Sequence, residues 1–223
     1  LKMEKNKIVF LIRAYNEATR IVGVIEGIFA AGYTQVLVVD DGSTDATEEL
    51  LRRAFGEGIV YLRHPINRWA WAALETGFAW VRGSFDDFEY VVTFDADGQH
   101  DVRDMGKFIA KFESDEWIDV VYGSRFIEKT DSNVPFLRRM ILMWGRIFTS
   151  VISWVHLTDA HNGYRMMRKK VIDDIRLTMD GMEYASELID EIRKAGYAIS
   201  EVPVNIRYDS YTLAKWQRYG GAL

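Results

Sequence analysis

The stretch EYVVTFDADGQHD, residues 89–101, passes from an apolar run into a polar turn with three carboxylates, those of Asp95, Asp97 and Asp101. The apolar run predicts a buried strand, and the Asp-Gly pair predicts the turn that ends it. In an extended segment, Asp95, Asp97 and Gln99 would point to one side. Carboxylates that lie close together raise each other's pKa, and a divalent cation removes this cost. The stretch therefore indicates either a site for a hard cation such as Mg²⁺ or Mn²⁺ or a solvated acidic turn.

The composition is that of an ordinary globular protein. The chain has 223 residues, of which 48% are hydrophobic and 27% charged, and its formal net charge is −5. This charge, without a long basic run, gives no reason to expect nucleic-acid binding. The absence of cysteine excludes a disulfide framework and a thiolate metal site. We therefore expect a reducing, cytoplasmic location and a metal held by oxygen or nitrogen ligands.

Short β-branched runs alternate with helical patterns through the first half of the chain. This alternation predicts an α/β fold with a central, mostly parallel mixed sheet flanked by helices. The predicted strands are KIVFLI (7–12), QVLVVD (35–40), GIVYL (58–62), EYVVTFD (89–95) and IDVVYGS (118–124). Helices are predicted over 17–31, 68–82 and 102–112, and within 41–54 a turn with a capping signal leads into another helix. Past residue 123 the alternation breaks, and only a helix over 182–195 and a strand over 199–208 are predicted. This second half looks like an elaboration of the same sheet, so we expect one domain over 1–223.

The longest apolar region runs from Pro135 to Leu157 and is interrupted by Arg138, Arg139 and Arg146. A transmembrane helix needs about 20 largely uncharged residues, which this region does not supply. Apolar and aromatic residues with interspersed arginines, over 136–157, are typical of a helix lying on a membrane surface. A core helix of the second half would show the same pattern, so both interpretations stay open.

Polar motifs follow the first, second and fourth predicted strands: RAYNE, DDGSTD and DADGQH. In open α/β sheets, ligands bind at the carboxyl ends of the strands, where these motifs fall. Asp40 or Asp41 could accept hydrogen bonds from a nucleotide, although capping the next helix explains either residue by itself. We expect Asp101 to cap the helix that follows it.

Six motifs, taken in their order along the chain, show a family resemblance that none of them shows alone. AYNE, DDGSTD, NRWAWAALETG, DADGQH, GSR and DAHNGYR resemble those of the family 2 glycosyltransferases of GT-A fold. DADGQH, HNGYR and the C-terminal EVPVNIRYDSYTLAKWQ look most like the dolichol- or polyprenyl-phosphate mannose synthase type. The resemblance covers residues 7–218. It implies a nucleotide-sugar-binding half over 7–123 and an acceptor-side half over 124–223.

The resemblance also implies the site residues. Those that would bind the nucleotide are Ala14, Tyr15, Glu17, Asp40, Asp41, Asp95 and Ala96. Those that would hold Mg²⁺ or Mn²⁺ with the diphosphate are Asp95, Asp97 and Gln99. Those that would face an acceptor phosphate are Arg125, Arg138 or Arg139, and Asn162. The catalytic set is Asp97, Arg125, Asp159 and Arg165.

The implied reaction is metal-dependent and inverting, with mannose passing from GDP-mannose to a polyprenyl or dolichyl phosphate. A lipid phosphate is already anionic and needs arginines, whereas a sugar-hydroxyl acceptor would need a base. Asp159 is then the best candidate for that base, ahead of Glu183 and Glu187. UDP-glucose is an alternative donor, and a nucleotide-binding protein without catalysis is a more remote alternative. The lipid acceptor implies peripheral contact with the cytoplasmic membrane face.

Two departures from the family pattern concern the predicted nucleotide site. Arg13 stands where relatives usually have proline, and Trp69 and Trp71 replace the two glycines of NRGxGAAL. We expect the tryptophans to pack against the sheet rather than stack on a base or sugar. Among the histidines, His161 could contact the metal or the diphosphate, but a structural role is favoured for it, as for His64 and His156; His100 is expected to line the metal site.

Rival interpretations fit the motifs less well. FDADG resembles the aspartyl nucleophile motif of haloacid-dehalogenase-type phosphatases, but that motif normally follows the first strand. Sugar-nucleotide pyrophosphorylases have a glycine-rich first loop that is absent after IVFLI. An EF-hand pattern begun at Asp95 places His100 where glycine is required and Gly106 where an acid is required.

Overall fold

Seven strands form one mixed sheet in the computed structural model, which describes residues 3–84, 87–127, 157–178 and 184–207. They are β1 (Ile8–Ala14), β2 (Gln35–Asp40), β3 (Val60–Arg63), β4 (Tyr90–Asp95), β5 (Val120–Ser124), β6 (Arg165–Arg168) and β7 (Ile199–Pro203). The spatial order is β3-β2-β1-β4-β6-β5-β7. β6 runs antiparallel to β4 and β5, and the other neighbouring strands are parallel.

Helices cover both faces of the sheet. They are α1 (Ile21–Ala30), α2 (Thr47–Phe55), α3 (Trp69–Ser84), α4 (Met105–Ser114), α5 (Lys169–Asp174) and α6 (Tyr184–Lys194). Apolar residues of α1, α2 and α4 share one core cluster, and those of α3, α5 and α6 share another. In the part of the chain that the structure describes, no helix is long and apolar enough to cross a bilayer.

The central strands are apolar because both of their faces are covered. Along β1, Ile8, Phe10 and Ile12 enter the cluster on the α1 side, while Val9 and Leu11 enter the cluster on the α3 side. A strand buried on both faces reads as a continuous hydrophobic run, as this one does. The α/β fold with a mostly parallel sheet is therefore confirmed, and the polar residues that follow the parallel strands β1, β2 and β4 lie at the carboxyl edge.

The second half of the chain completes the same sheet, in a way that the sequence did not predict. RMMR, within TDAHNGYRMMRKK, forms β6, which lies between β4 and β5 and pairs with both. The short helix α5 was also not predicted, and the last strand ends at Pro203 rather than at 208. The amphipathic segment over 136–157 lies outside the described residues, apart from its final residue. Because β6 adjoins β4, the HNGYR motif lies beside the DADGQH turn.

Trp69 begins α3 in a strained backbone conformation. Its φ is +72°, in the left-handed region, and the residue is 69% exposed. The expectation that Trp69 packs against the sheet is therefore wrong, whereas Trp71 is partly buried and lies under the Arg68 guanidinium, 5.9 Å from its ring centroid. A left-handed conformation costs an L-residue about 1–2 kcal/mol, and little burial of Trp69 offsets this cost.

We predict that Trp69→Gly raises the free energy of unfolding by about 0.5–1 kcal/mol, because relief of strain exceeds the entropic cost of glycine. Urea denaturation of the variant and of the parent protein measures the difference. Trp117→Gly is the matched control, since Trp117 is 78% exposed but is not among the described residues with positive φ. The control should lower the free energy of unfolding. A loss of stability in Trp69→Gly as large as in the control would contradict the prediction.

Candidate active site

Two predicted site residues, Asp41 and Asp95, lie at the carboxyl edge on the α3 side of the sheet, together with Arg13. Arg13 and Asp95 are register partners on the adjacent strands β1 and β4, and they alternate with the residues that face α1. Asp41 follows β2, and its backbone N–H donates to the Ala14 carbonyl at 2.8 Å. The edge therefore brings the ends of β1, β2 and β4 into one polar surface.

Asp95 is engaged on both carboxylate oxygens. The Arg13 guanidinium donates from Nη2 to Oδ1 at 2.5 Å, and His100 Nε2 lies 3.1 Å from Oδ2. Burial acts to raise the pKa of Asp95, but the Arg13 charge and the His100 hydrogen bond outweigh it and hold that pKa well below its usual range. Gly163 crowds the same carboxylate, since a Cβ at Gly163 would lie 2.4 Å from Oδ2. Asp95 is thus a carboxylate held in a fixed position.

Asp97 and Gln99 do not continue the strand. β4 ends at Asp95, and Asp97 Oδ1 then accepts from the Gln99 backbone N–H at 3.0 Å in a turn where Gly98 has a φ of +76°. The expectation of an extended segment with Asp95, Asp97 and Gln99 at alternate positions is therefore wrong. Asp101 does cap the next helical turn, as predicted, by accepting from the Arg103 N–H at 3.0 Å.

The turn after β4 offers only a few oxygen ligands for a divalent ion. Among the described residues, no three His, Asp or Glu side chains are grouped to hold a metal. Magnesium, however, is commonly bound through one or two carboxylates together with substrate phosphates rather than in an all-protein cage. Asp97, with the amide oxygen of Gln99, could hold such an ion together with substrate phosphates, beside an Asp95 carboxylate that contacts Arg13 and His100.

Asp40 and Asp41 have different surroundings. Asp40 is fully buried and accepts from the Ser43 N–H at 2.8 Å and from the Tyr61 hydroxyl at 2.6 Å. Burial and the Asp40 carboxylate raise the pKa of Tyr61, so this contact keeps the hydroxyl protonated. Asp41 accepts from the Arg68 N–H at 2.8 Å and lies 2.7 Å from His64 Nδ1. Asp41 therefore fixes the loop after β3 against the edge.

The loops after β1 and β2 are hydrogen-bonded to each other. The Asn16 N–H donates to Ser43 Oγ at 2.9 Å, and Asn16 Oδ1 accepts from the Thr44 N–H at 2.8 Å. The Glu17 N–H donates to Thr47 Oγ1 at 3.0 Å. Around these contacts Ala14, Ala96 and Glu17 are buried, and Tyr15 is partly buried. The AYNE and DDGST segments thus form one surface with little freedom to move separately.

Arg125 and Asp159 form a buried ion pair. Arg125 donates to the Asp159 carboxylate from Nε and Nη2, each at 2.6 Å, and from its backbone N–H at 3.1 Å. The side chains are 6% and 2% exposed. Glu201 fixes the segment from the other side by accepting from the N–H groups of Thr158 and Asp159. Burial raises the pKa of Glu201, although these hydrogen bonds oppose the shift.

Arg165 lies beside this ion pair and is 1% exposed. Its guanidinium carbon is 5.0 Å from the Tyr122 ring centroid, and Nη2 donates to the Ala160 carbonyl at 3.4 Å. Burial and the Arg165 charge lower the pKa of His161, so His161 is neutral at pH 7. Asn162 Nδ2 lies 3.4 Å from Asp159 Oδ2. Residues 159–165 therefore form a tightly packed segment next to Asp95, and the buried charge of Arg165 lies at its end.

A comparison with known families agrees with the geometry of the edge. The family described as Glycosyl transferase family 2 matches residues 9–176. The chain belongs to this family. It is a glycosyltransferase, and the AYNE, DDGSTD and DADGQH segments of the edge lie within the matched range.

Three relatives cover almost the whole chain. An uncharacterized protein of Methanocaldococcus jannaschii is 31% identical over 96% of this chain and 87% of its own length. The UDP-N-acetylglucosamine–dolichyl-phosphate N-acetylglucosaminyltransferase of Methanococcus voltae is 28% identical over 94% and 90%. The polyprenol monophosphomannose synthase of Mycolicibacterium smegmatis is 26% identical over 92% and 85%.

Solved structures identify the fold of this family 2 enzyme as GT-A. Glucosyl-3-phosphoglycerate synthase from Mycobacterium tuberculosis, crystallised with Mn²⁺, UDP-glucose and phosphoglyceric acid, has a TM-score of 0.68 at 17% identity. The match covers 97% of this chain and 80% of that one. The likeness confirms the predicted fold class.

The structure brings most of the predicted residues together but adds partners that sequence reasoning missed. Arg13 was noted in the sequence only because it replaces a proline, but it donates a hydrogen bond to Asp95. The close approach of Gly163 to Asp95 was not predicted either. His64 is hydrogen-bonded through both ring nitrogens, as expected for a structural histidine. Glu187 accepts from the Thr178 N–H at 2.7 Å. Arg138, Arg139, His156 and Glu183 lie outside the described residues.

We predict that Asp159→Ala lowers the free energy of unfolding by about 3–5 kcal/mol, because it leaves the buried Arg125 charge without its partner. Chemical denaturation measures the loss. Arg52→Ala is the matched control: it breaks an exposed ion pair with Glu48, 2.9 Å long, and should change stability by no more than about 0.5 kcal/mol. A loss below about 1 kcal/mol for Asp159→Ala would show that the pair is not buried in solution.

Proposed function

We propose that the protein is a metal-dependent, inverting glycosyltransferase that transfers mannose from GDP-mannose to a polyprenyl or dolichyl phosphate. The observation that carries the choice of acceptor is the Arg125–Asp159 ion pair. Asp159 is the best base candidate that a hydroxyl acceptor would require, but it accepts three hydrogen bonds from Arg125. A carboxylate held in this way is a poor general base, and a phosphate acceptor needs none.

Several relatives support a lipid-phosphate acceptor. Besides the mycobacterial polyprenol monophosphomannose synthase, an undecaprenyl-phosphate mannosyltransferase of Micrococcus luteus is 29% identical over 77% of the chain. The acceptor phosphate would face Arg125, Asn162 and either Arg138 or Arg139. In this proposal Asp159 orients the Arg125 guanidinium and does not remove a proton. The protein would act at the cytoplasmic membrane face, in peripheral contact with the lipid.

The donor would lie across the carboxyl edge. Ala14, Tyr15, Glu17 and Asp41 would hold the nucleoside, on the surface that the hydrogen bonds between AYNE and DDGST keep rigid. Asp40 would hold this surface in place without touching the nucleotide, because it is buried and hydrogen-bonded within the protein. A UDP-sugar is a second candidate donor, since the relative from Methanococcus voltae is named for UDP-N-acetylglucosamine.

Asp97 and Gln99 would hold Mg²⁺ or Mn²⁺ against the diphosphate. A divalent ion bound there supplies electrostatic stabilisation of the charge that develops on the leaving nucleotide. The chain's own contribution is positional: the turn at Gly98 directs Asp97 away from the strand, and Arg165 adds positive charge on the acceptor side. The acceptor phosphate would then attack the anomeric carbon opposite the leaving diphosphate, with inversion.

We predict that Asp97→Ala lowers turnover by at least about 100-fold, the scale of losing one electrostatic stabiliser. Asp115→Ala is the matched control, because Asp115 Oδ1 accepts from the Trp117 N–H at 3.1 Å in the same kind of turn, at the opposite edge. Radiolabelled sugar transfer measures both variants, with and without a chelator. Near-normal turnover in Asp97→Ala, or full activity of the parent protein after chelation, would exclude the metal-dependent mechanism.

We also predict transfer to a polyprenyl phosphate and none to the corresponding polyprenol. Purified protein is incubated with each lipid and with GDP-mannose, UDP-glucose or UDP-N-acetylglucosamine in parallel, and the products are separated by chromatography. The proposal predicts product from GDP-mannose and polyprenyl phosphate only. Product with the alcohol would reverse the acceptor assignment, and product with a UDP-sugar alone would replace the donor without affecting the acceptor.

A further inference from the structure

Exposed apolar side chains are gathered at the carboxyl edge of the sheet. In the part of the chain that the structure describes, the exposed large apolar residues are Ile66, Trp69, Trp80, Trp117 and Ile127. Ile66 and Trp69 lie where the chain passes from β3 into α3, and Ile127 follows β5. Because β3 and β5 run in the same direction as β4, all three lie at the edge that carries the candidate site. Single exposed apolar residues are ordinary, but a group of them at one edge indicates a contact surface.

The loop after β3 is held in place through its main chain, which leaves its apolar side chains outside. The Arg68 N–H donates to the Asp41 carboxylate at 2.8 Å. The main chain of Ile66 packs so closely on Gly42 that a Cβ there would lie 2.6 Å from the Ile66 carbonyl carbon. Ile66 and Trp69 are nevertheless 67% and 69% exposed. The loop therefore presents both side chains in fixed positions, and a partner would not have to order them.

Trp69 is exposed in spite of backbone strain. Its φ of +72° lies in the region that favours glycine, the residue that relatives usually have at this position. Little burial of the indole offsets the strain. A strained residue that gains so little from packing points to a function for its side chain. The side chain is accessible from outside, so that function involves a partner.

The charge of the loop suits an anionic lipid surface. Arg68 is the only charged residue over 65–74, and it is exposed. Tryptophan and arginine beside aliphatic residues are typical of segments that lie at the headgroup level of a bilayer. Trp117 has the opposite surroundings, because it follows Asp115 and Glu116. An anionic surface would attract the first loop and repel the second.

The loop after β3 and the acceptor-side residues lie along the same edge. Five strand steps separate β3 from β5 in the sheet, which is about 24 Å at the usual spacing of hydrogen-bonded strands. The phosphate of a polyprenyl phosphate lies at the bilayer surface, because its hydrocarbon chain stays in the bilayer. A bilayer that delivered this phosphate to Arg125 would therefore face the carboxyl edge. Ile127 would then meet it near one end of the edge, and the loop after β3 near the other.

We propose that Ile66 and Trp69 anchor the carboxyl edge to an anionic membrane surface, with Ile127 as a second contact. The partner is the headgroup layer of the bilayer: the two side chains of the loop insert into it, and Arg68 contacts lipid phosphate. The anchoring role of the loop rests on the proposed function, since a lipid-phosphate acceptor is what brings the bilayer to this edge. It also gives a reason for tryptophan at a position whose backbone favours glycine.

Sedimentation with vesicles tests the anchor without any sugar transfer. The vesicles contain equal amounts of phosphatidylglycerol and phosphatidylcholine. Trp69→Gly relieves the strain, so it folds, and it should lower vesicle affinity by at least about tenfold because a large apolar side chain is lost from the membrane. Ile66→Ser added to it should lower the affinity further. Trp117→Gly is the matched control and should bind within about twofold of the parent protein, since an equally exposed indole is removed at the opposite edge.

The charge of the loop is tested by Arg68→Gln. Affinity for the anionic vesicles should fall by about fivefold, and affinity for vesicles of phosphatidylcholine alone should not change. Arg103→Gln is the control: Arg103 is exposed and paired with Asp101, and its removal should have a smaller effect. An equal loss in both variants would show that general charge, rather than the loop, attracts the protein to the vesicles.

The depth of single positions can be measured because the chain has no cysteine. Ile66→Cys and Trp117→Cys are each labelled with a nitrobenzoxadiazole group, whose emission rises in apolar surroundings. With the anionic vesicles, emission from position 66 should rise by at least about twofold, as expected for a side chain that enters the interface, and emission from position 117 should stay constant. No change at position 66, or equal changes at the two positions, would contradict the proposal.

The outcomes distinguish the anchor from the proposed function. Vesicle binding that depends on Trp69, without transfer to polyprenyl phosphate, would support the anchor and reject the acceptor. If folded Trp69→Gly binds vesicles as the parent protein does, or if the parent protein does not bind them, the anchor is overturned whatever the transfer assay gives. A dimer that Trp69→Gly abolishes, without vesicle binding, would identify a second copy of the chain as the partner. A tenfold loss of GDP affinity with unchanged vesicle binding would place the indole at the nucleotide; on the order of tenfold is the scale of losing one stacking contact.

Discussion

Charges at the end of a buried sheet need partners, and this requirement shapes the whole carboxyl edge. The central strands are covered on both faces, so a carboxylate at the end of one of them loses much of its hydration. Carboxylates at this edge have specific partners: Arg13 for Asp95, Arg125 for Asp159, and His64 for Asp41. These pairs hold each carboxylate in one position, and the candidate site is built from groups positioned in this way.

The position of β6 determines which residues meet. A purely parallel continuation would have placed β5 next to β4, and the later motif would then have been distant from DADGQH. Instead β6 runs antiparallel between β4 and β5, with Arg165 opposite both Thr93 and Tyr122. The hydrogen bond from Thr93 Oγ1 to the Gly163 carbonyl, at 2.6 Å, fixes the start of β6 against β4. One short strand thus brings residues 159–165 beside the end of β4.

The fold was largely predictable because burial on both faces leaves a clear pattern in the sequence. The apolar runs that became β1, β2, β4 and β5 have few other interpretations, and QVLVVD was predicted with its observed bounds. β6 was missed because RMMR has two apolar residues between two arginines, and its strand conformation comes from pairing on both sides rather than from its own pattern.

The contacts within the candidate site could not be predicted from the sequence. Motif order selected Asp95, Asp97, Arg125 and Asp159 as candidates, yet no local pattern shows that Arg13 faces Asp95 or that Arg125 binds Asp159. Such contacts depend on strand register and on the return of the chain after a long excursion. The prediction that Asp95 and Asp97 point to the same side of an extended strand was wrong for a local reason. The strand ends at Asp95, and the turn around Gly98 begins directly after it.

Gly163 links the end of β4 to the Arg125–Asp159 ion pair. A Cβ at Gly163 would lie 2.4 Å from the Asp95 carboxylate, and only three residues separate Gly163 from Asp159. There is no side chain between them to absorb movement, and the packed surroundings are stiff. A displacement of Asp95 would therefore be passed along this short segment to the Arg125–Asp159 ion pair.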